Sequence, residues 1–151
     1  MIPQDASVIA SLAKKAVEMK TRDVDKDDAS NYLQRAEECI GSMTYAFQTG
    51  NWNSCLINAV HAAISSADAV CVWKLGMRSA SDNHADAGRL LVQIDPANEE
   101  VKNAVKHLSY LLGLKTGAEY GEKLFSKKEA EEAVKHAERI FSYAKSVVKK
   151  I

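Results

Sequence analysis

NWNSCLINAVHAAISSADAVCVWKLG, residues 51–76, is the most apolar run in the chain, and its reading decides the fold. Leu56, Ala59, Ala63, Val70 and Trp73 recur at helical spacing, while Ile57, Val60, Ile64, Ala67 and Cys71 fill the other side. A helix that is apolar nearly all round is a buried one. Its middle is built from small residues, Ala59, Ala62, Ala63, Ser65, Ser66 and Ala67, which let neighbouring helices approach closely. The stretch is therefore expected at the centre of a helical bundle.

Working outward on the N-terminal side, Leu33, Ala36, Ile40, Met43 and Phe47 fall at spacings of 3, 4, 3 and 4. They predict a helix from Asp27 or Asp28 to Thr49. Gly50 ends it and Asn51 caps the central helix, so the two are antiparallel neighbours. Upstream, Asp5 to Lys20 carries a short amphipathic pattern, read as a peripheral helix. Thr21 to Ser30 reads as a charged linker held in solvent, outside the core. On the C-terminal side, the central helix stops at Gly76 and Met77 to His84 reads as a polar loop. Ser81 or Asp82 is expected to cap a third helix bearing Ala87, Leu90, Leu91 and Ile94. Asp95-Pro96 signals the start of a fourth, with Val101, Ala104, Val105, Leu108, Leu111 and Leu112 facing inward and an end near Tyr120. Ser126 with Glu129 forms a capping box for the last helix, whose inner face is Ala130, Ala133, Val134, Ala137, Ile140, Phe141, Ala144 and Val148. No strand is expected. The fold class is all-α: an up-and-down bundle of four main helices plus a short N-terminal one, in a single domain with residues 1–27 peripheral and 28–150 as its core.

Twenty acidic and twenty basic residues balance, so net charge does not mark the chain as a nucleic-acid binder. Cys39, Cys55 and Cys71 are odd in number, form no CxxC pair and sit inside helical patterns. They read as buried thiols in a reducing compartment, with no metal and no cofactor expected. The central helix approaches membrane-span length. Asn58, His61, Ser65, Ser66 and Asp68 interrupt it, which argues for a cytoplasmic protein without a membrane segment. No signal peptide is read at the N-terminus.

The order of these features resembles the HEPN family of helical domains. The residues that carry the likeness are the central helix 51–76, His84 opening the next helix, Leu108 to Gly121 with its A-E-Y-G ending, and SKKEAEEAVKHAERIF at 126–141. The resemblance spans Asp28 to Val148. It implies a four- or five-helix bundle, commonly dimeric, found in prokaryotic toxin–antitoxin and defence systems and often paired with a nucleotidyltransferase. Active members are metal-independent RNases with an R-x(4–6)-H motif. Here Lys115 stands where the Arg would be and Tyr120 where the His would be. Cleavage of RNA without metal needs a group that moves protons near neutral pH, and a tyrosine ordinarily titrates near pH 10. Lysine also lacks the bidentate fork of arginine. The expected function is thus a non-catalytic component that binds nucleotide, RNA or a nucleotidyltransferase-type partner, as a homodimer. The alternatives are a metal-independent endoribonuclease toxin and a purely structural dimerisation module.

Arg78 and His84 also have R-x5-H spacing and form a second candidate pair, catalytic or phosphate-contacting; its plainer reading is a solvated Arg78 and a locally bonded His84. Glu119, beside Tyr120, joins Lys115, Arg78 and His84 as a ligand-binding candidate. Asn58, His61, Ser65 and Asp68 lie at spacings of 3, 4 and 3, a polar stripe on the buried helix that faces another helix, a second subunit or a cleft. His61 itself reads as a core histidine bonded to a neighbour, or as a ligand or base. His107 and His136 read as solvent-exposed, and Trp52 and Trp73 as packing residues. The second-half lysines read as a solvated face diluted by glutamates. Gly113, Gly117 and Gly121 mark either a close helix approach or a frayed end.

Overall fold

A computed structural model describes residues 19–81 and 83–149. The proposed N-terminal helix over Asp5 to Lys20 lies almost wholly outside the described residues. Five α-helices follow in order: α1 (Ala29–Gln48), α2 (Trp52–Leu75), α3 (Ala85–Val92), α4 (Glu99–Tyr120) and α5 (Lys127–Val147). They confirm an all-α bundle.

Helix α2 is the axis. It packs against each of the other four helices, and 12 of its 24 residues are buried, the count expected of a rod surrounded on most sides. Its alanines are met by more small residues, Ala130, Ala133, Ala137 and Ala144 of α5, all fully buried. Large side chains such as Met43, Leu56, Leu108, Leu111 and Ile140 fill the space between. This interdigitation of small against large gives interiors their crystal-like density. By length and composition α2 would also satisfy a membrane span, but most of its apolar surface is buried inside the bundle.

Local chemistry sets the boundaries. Gly50 and Gly76 have φ of 74° and 68°, the left-handed region that glycine enters without a Cβ penalty, and they end α1 and α2. Asn51 holds the N-cap position of α2, its carbonyl accepting from Cys55 N–H at 2.9 Å, but its side chain caps none of the helix N–H groups. Its Nδ2 donates instead to Thr49 Oγ1 at 3.0 Å. Ser126 and Glu129 form the predicted reciprocal capping box.

Three expectations need correction. The charged segment after Lys20 is structured: Thr21–Asp23 (β1) pairs antiparallel with Met77–Ser79 (β2), with Arg22 opposite Arg78. A 3-10 turn at Lys26–Asp28 follows, capped by Asp25. Strands of three residues carry no alternation to detect; only the long-range pairing creates them. Helix α3 is not capped by Ser81: Asn83 Oδ1 accepts from the Ala85 N–H at 3.0 Å, and Asp82 lies outside the described residues. Asp95-Pro96 does not open α4. The Asp95 carbonyl accepts from Asn98 N–H in a turn, and Asn98 Oδ1 then caps the helix through Val101 N–H at 3.1 Å. Glu99 and Glu100 in the first turn favour that start, because carboxylates suit the positive end of the helix dipole.

Candidate functional site

The last two turns of α4 lie beside the first half of α2, which runs antiparallel to it. Asn53 fixes this junction: its Nδ2 donates to the Ala118 carbonyl at 3.2 Å and its Oδ1 accepts from Phe125 N–H at 2.9 Å. Lys115 and Glu119 sit one turn apart on α4, and Lys115 Nζ donates to Glu119 Oε2 at 3.0 Å. The other oxygen, Glu119 Oε1, lies 3.6 Å from His61 Nε2 on α2. Glu119 therefore bridges a lysine and a histidine. Its side chain is only 17% exposed, against 48% for His61. Tyr120, the last residue of α4, projects into solvent at 81% exposure. Five positions along a helix are about 140° around its axis, so Lys115 and Tyr120 leave α4 on different sides.

Arg78 and His84 do not form one site. Arg78, on β2, lines a cavity of about 560 Å³ against β1 and the start of α1. His84, at the N-cap position of α3, lines a groove of about 480 Å³ whose opposite wall is α4, with Ser109, Lys115 and Thr116. The fold thus brings His84 to Lys115 and leaves Arg78 elsewhere. Nothing in the chain order announced this pairing, since it depends on α3 folding back across α4.

The polar stripe on α2 is not buried. Asn58, Ser65 and Asp68 are half-buried and His61 is exposed, because α1 and α4 flank this side of α2 without closing over it. Asn58 Nδ2 donates to the Ser54 carbonyl at 3.0 Å, and Asn58 shares a shallow cavity with Gly41, Ser42 and Tyr45 of α1. Burial pushes the Asp68 carboxyl up to about 6, although the positive charge of Arg78 pulls it partly back.

His107 and His136 are not simply solvated. Their Nδ1 atoms lie 2.9 Å apart between α4 and α5, and the Tyr110 ring stacks on His136 at 4.0 Å. One ring must donate and the other accept. Burial and the neighbouring ring hold the His107 pKa below its ordinary value. Burial also lowers that of His136, with Glu132 opposing the shift.

Trp52 packs edge-on against Phe47, and Trp73 lies beneath Lys26 at 4.8 Å. Both serve packing, as expected. Lys102, Lys115 and Lys135 are each paired with a glutamate, in line with a neutralised face. The three late glycines do three different things. Gly113 has open space beside it, Gly117 leaves room for the Phe125 ring, and Gly121 ends α4 with its N–H returned to the Gly117 carbonyl. No second helix seats on them among the described residues. Burial raises the Cys55 thiol to about 11 and also raises Cys71 and the half-buried Cys39, the last with help from the Glu38 charge, which disfavours the reactive thiolate.

A comparison with curated proteins finds no match. A family model for the HEPN domain matches residues 29–147, from the first residue of α1 to the last of α5. The match covers the whole helical bundle, including the α2 rod, the Lys115–Tyr120 segment and the capped final helix, and the chain belongs to the HEPN domain family.

Proposed function

We propose that this HEPN domain binds the phosphate of a nucleotide or RNA in the groove between α3 and α4, and does not cleave RNA. The observation that carries this reading is the arrangement at the end of α4. Lys115 lines the groove with His84, while Tyr120 points away into solvent. Lys115, Thr116, Ser109 and Asn83 supply hydrogen-bonding groups for phosphate oxygens. The groove thus offers contacts, but Tyr120, the residue in the catalytic histidine's place, is directed away from them. The protein would act in the cytoplasm as a homodimer, within a toxin–antitoxin or defence system and beside a nucleotidyltransferase-type partner. The half-open stripe of α2, with the 67% exposed Tyr45 next to it, is the surface we assign to the second copy.

The contacts of His61 favour a second reading, a metal-independent endoribonuclease. Glu119 would orient His61 as a general base, with Lys115 as the phosphate cation. One experiment separates the two. Labelled RNA is incubated with the protein in EDTA, and binding and cleavage are read together. Retention without cleavage, weakened in Lys115→Gln, supports the first reading; cleavage lost in His61→Ala supports the second. Dimer formation with neither binding nor cleavage would leave only an interaction module.

A further inference from the structure

A cavity of about 560 Å³ lies away from the α3–α4 groove, where the β1–β2 ribbon meets the start of α1. Three arginines line it: Arg22 on β1, Arg78 on β2 and Arg35 on α1. Arg22 and Arg78 are direct register partners across the antiparallel pair. Like charges placed directly opposite each other destabilise a strand pair. Arg35 and Arg78 both approach the Tyr32 ring, at 5.8 and 5.9 Å from its centroid. The ring thus carries two guanidiniums toward one space.

None of the three makes an ion pair among the described residues. Among the described residues, Arg78 Nη1 donates only to the neighbouring Ser79 carbonyl at 3.2 Å, and its buried Nε has no hydrogen-bond partner. An orphaned buried donor on a charged group is costly. Asp23, Asp25 and Asp28 also line the cavity, but the last two are engaged locally. Asp25 Oδ1 accepts from Asp27 N–H, and Asp28 Oδ1 from Asn31 Nδ2.

We infer that Arg22, Arg35 and Arg78 form a binding site for a compact phosphate group, a phosphomonoester or diphosphate. Guanidinium forks match phosphate oxygens in bidentate geometry, and an oxyanion held among three of them removes the repulsion across the ribbon. The carboxylates of Asp23, Asp25 and Asp28, which line the same cavity, disfavour a long polyanion threaded through it. With about 560 Å³ the cavity accommodates pyrophosphate or a nucleotide diphosphate. The site is independent of the α3–α4 groove.

The test uses the full chain and reads both the thermal midpoint and calorimetric binding, with inorganic pyrophosphate, ADP and a short single-stranded RNA as separate ligands. Pyrophosphate is expected to bind saturably and raise the midpoint by several degrees. A stronger response to ADP would identify a nucleotide as the source of the phosphate; equal responses would identify the inorganic group. Arg35→Gln, on the exposed surface of α1, should weaken binding by about tenfold. Arg22→Gln should do the same yet raise the midpoint in anion-free buffer, because it removes one of two facing like charges. A structural role alone would lower that midpoint and leave the pyrophosphate response intact. The inference is overturned by any of three results: no saturable response in the unmodified protein, an unchanged response in the Arg22→Gln/Arg35→Gln double variant, or binding of the RNA alone. Loss of the response in Lys115→Gln would also overturn it, by assigning the anion to the other groove.

Discussion

Replacing Asp68 with asparagine should make the protein more stable at neutral pH and leave it unchanged in acid. Asp68 is half-buried on α2, and its carboxylate accepts no hydrogen bond among the described residues. Burial lifts its pKa from 3.8 to about 6, with the attraction of Arg78 already working in the opposite direction. Between those two values the folded protein keeps a proton that the unfolded chain has lost. Stability therefore falls as pH rises through this window and stays low above it. A rise of about two in pKa, at about 1.4 kcal/mol each, bounds the penalty near 3 kcal/mol. Partial exposure and local relaxation make about 2 kcal/mol the expected gain for Asp68→Asn at neutral pH. Urea unfolding at several values between about pH 4 and pH 7, on both proteins, reads this directly. The two stability curves should converge at the acid end and separate through the window. Parallel curves, or an asparagine variant that is less stable at neutral pH, would refute the reasoning by showing that the ionised carboxylate has a stabilising partner.

Three further substitutions probe the bundle. Ser66→Ala should stabilise by about 1 kcal/mol in urea unfolding, since the Ser66 hydroxyl is fully buried without a partner among the described residues. Asn53→Ala should destabilise by about 2 kcal/mol, because it removes both hydrogen bonds that tie α2 to the end of α4 and to Phe125; amide exchange should show the α4–α5 connection opening first. Gly76→Ala should cost about 1 kcal/mol for its left-handed φ of 68°, whereas Gly41→Ala, in a mid-helix position with open space beside it, should gain up to about 1 kcal/mol.

Much of the architecture was legible in the chain. Signals that act within one or two turns read correctly: the apolar rod of α2, the Gly50 and Gly76 stops, the Ser126–Glu129 box and the end of α4 at Tyr120. What escaped was built from distant partners. The ribbon needs residues 21–23 and 77–79 to meet, and neither strand is long enough to announce itself. The His107–His136 contact joins two helices whose histidines each look solvated alone. Asn98 outcompeted the Asp95-Pro96 signal because its side chain reaches the Val101 N–H, leaving Asp95 to a turn. At the candidate site, Lys115, Glu119 and Tyr120 could be named from the family pattern, but not that Glu119 bridges to His61 or that Lys115 shares a groove with His84. Arg78 was singled out for a partnership with His84; its neighbours are Arg22, Arg35 and Tyr32.

The central claim is that this HEPN domain retains a phosphate-binding groove while Tyr120 is turned away from it. Purified protein mixed with labelled single-stranded RNA in EDTA tests it most directly. The account predicts RNA that is bound and stays full-length over prolonged incubation. Metal-free fragments that disappear with Tyr120→Phe would contradict it.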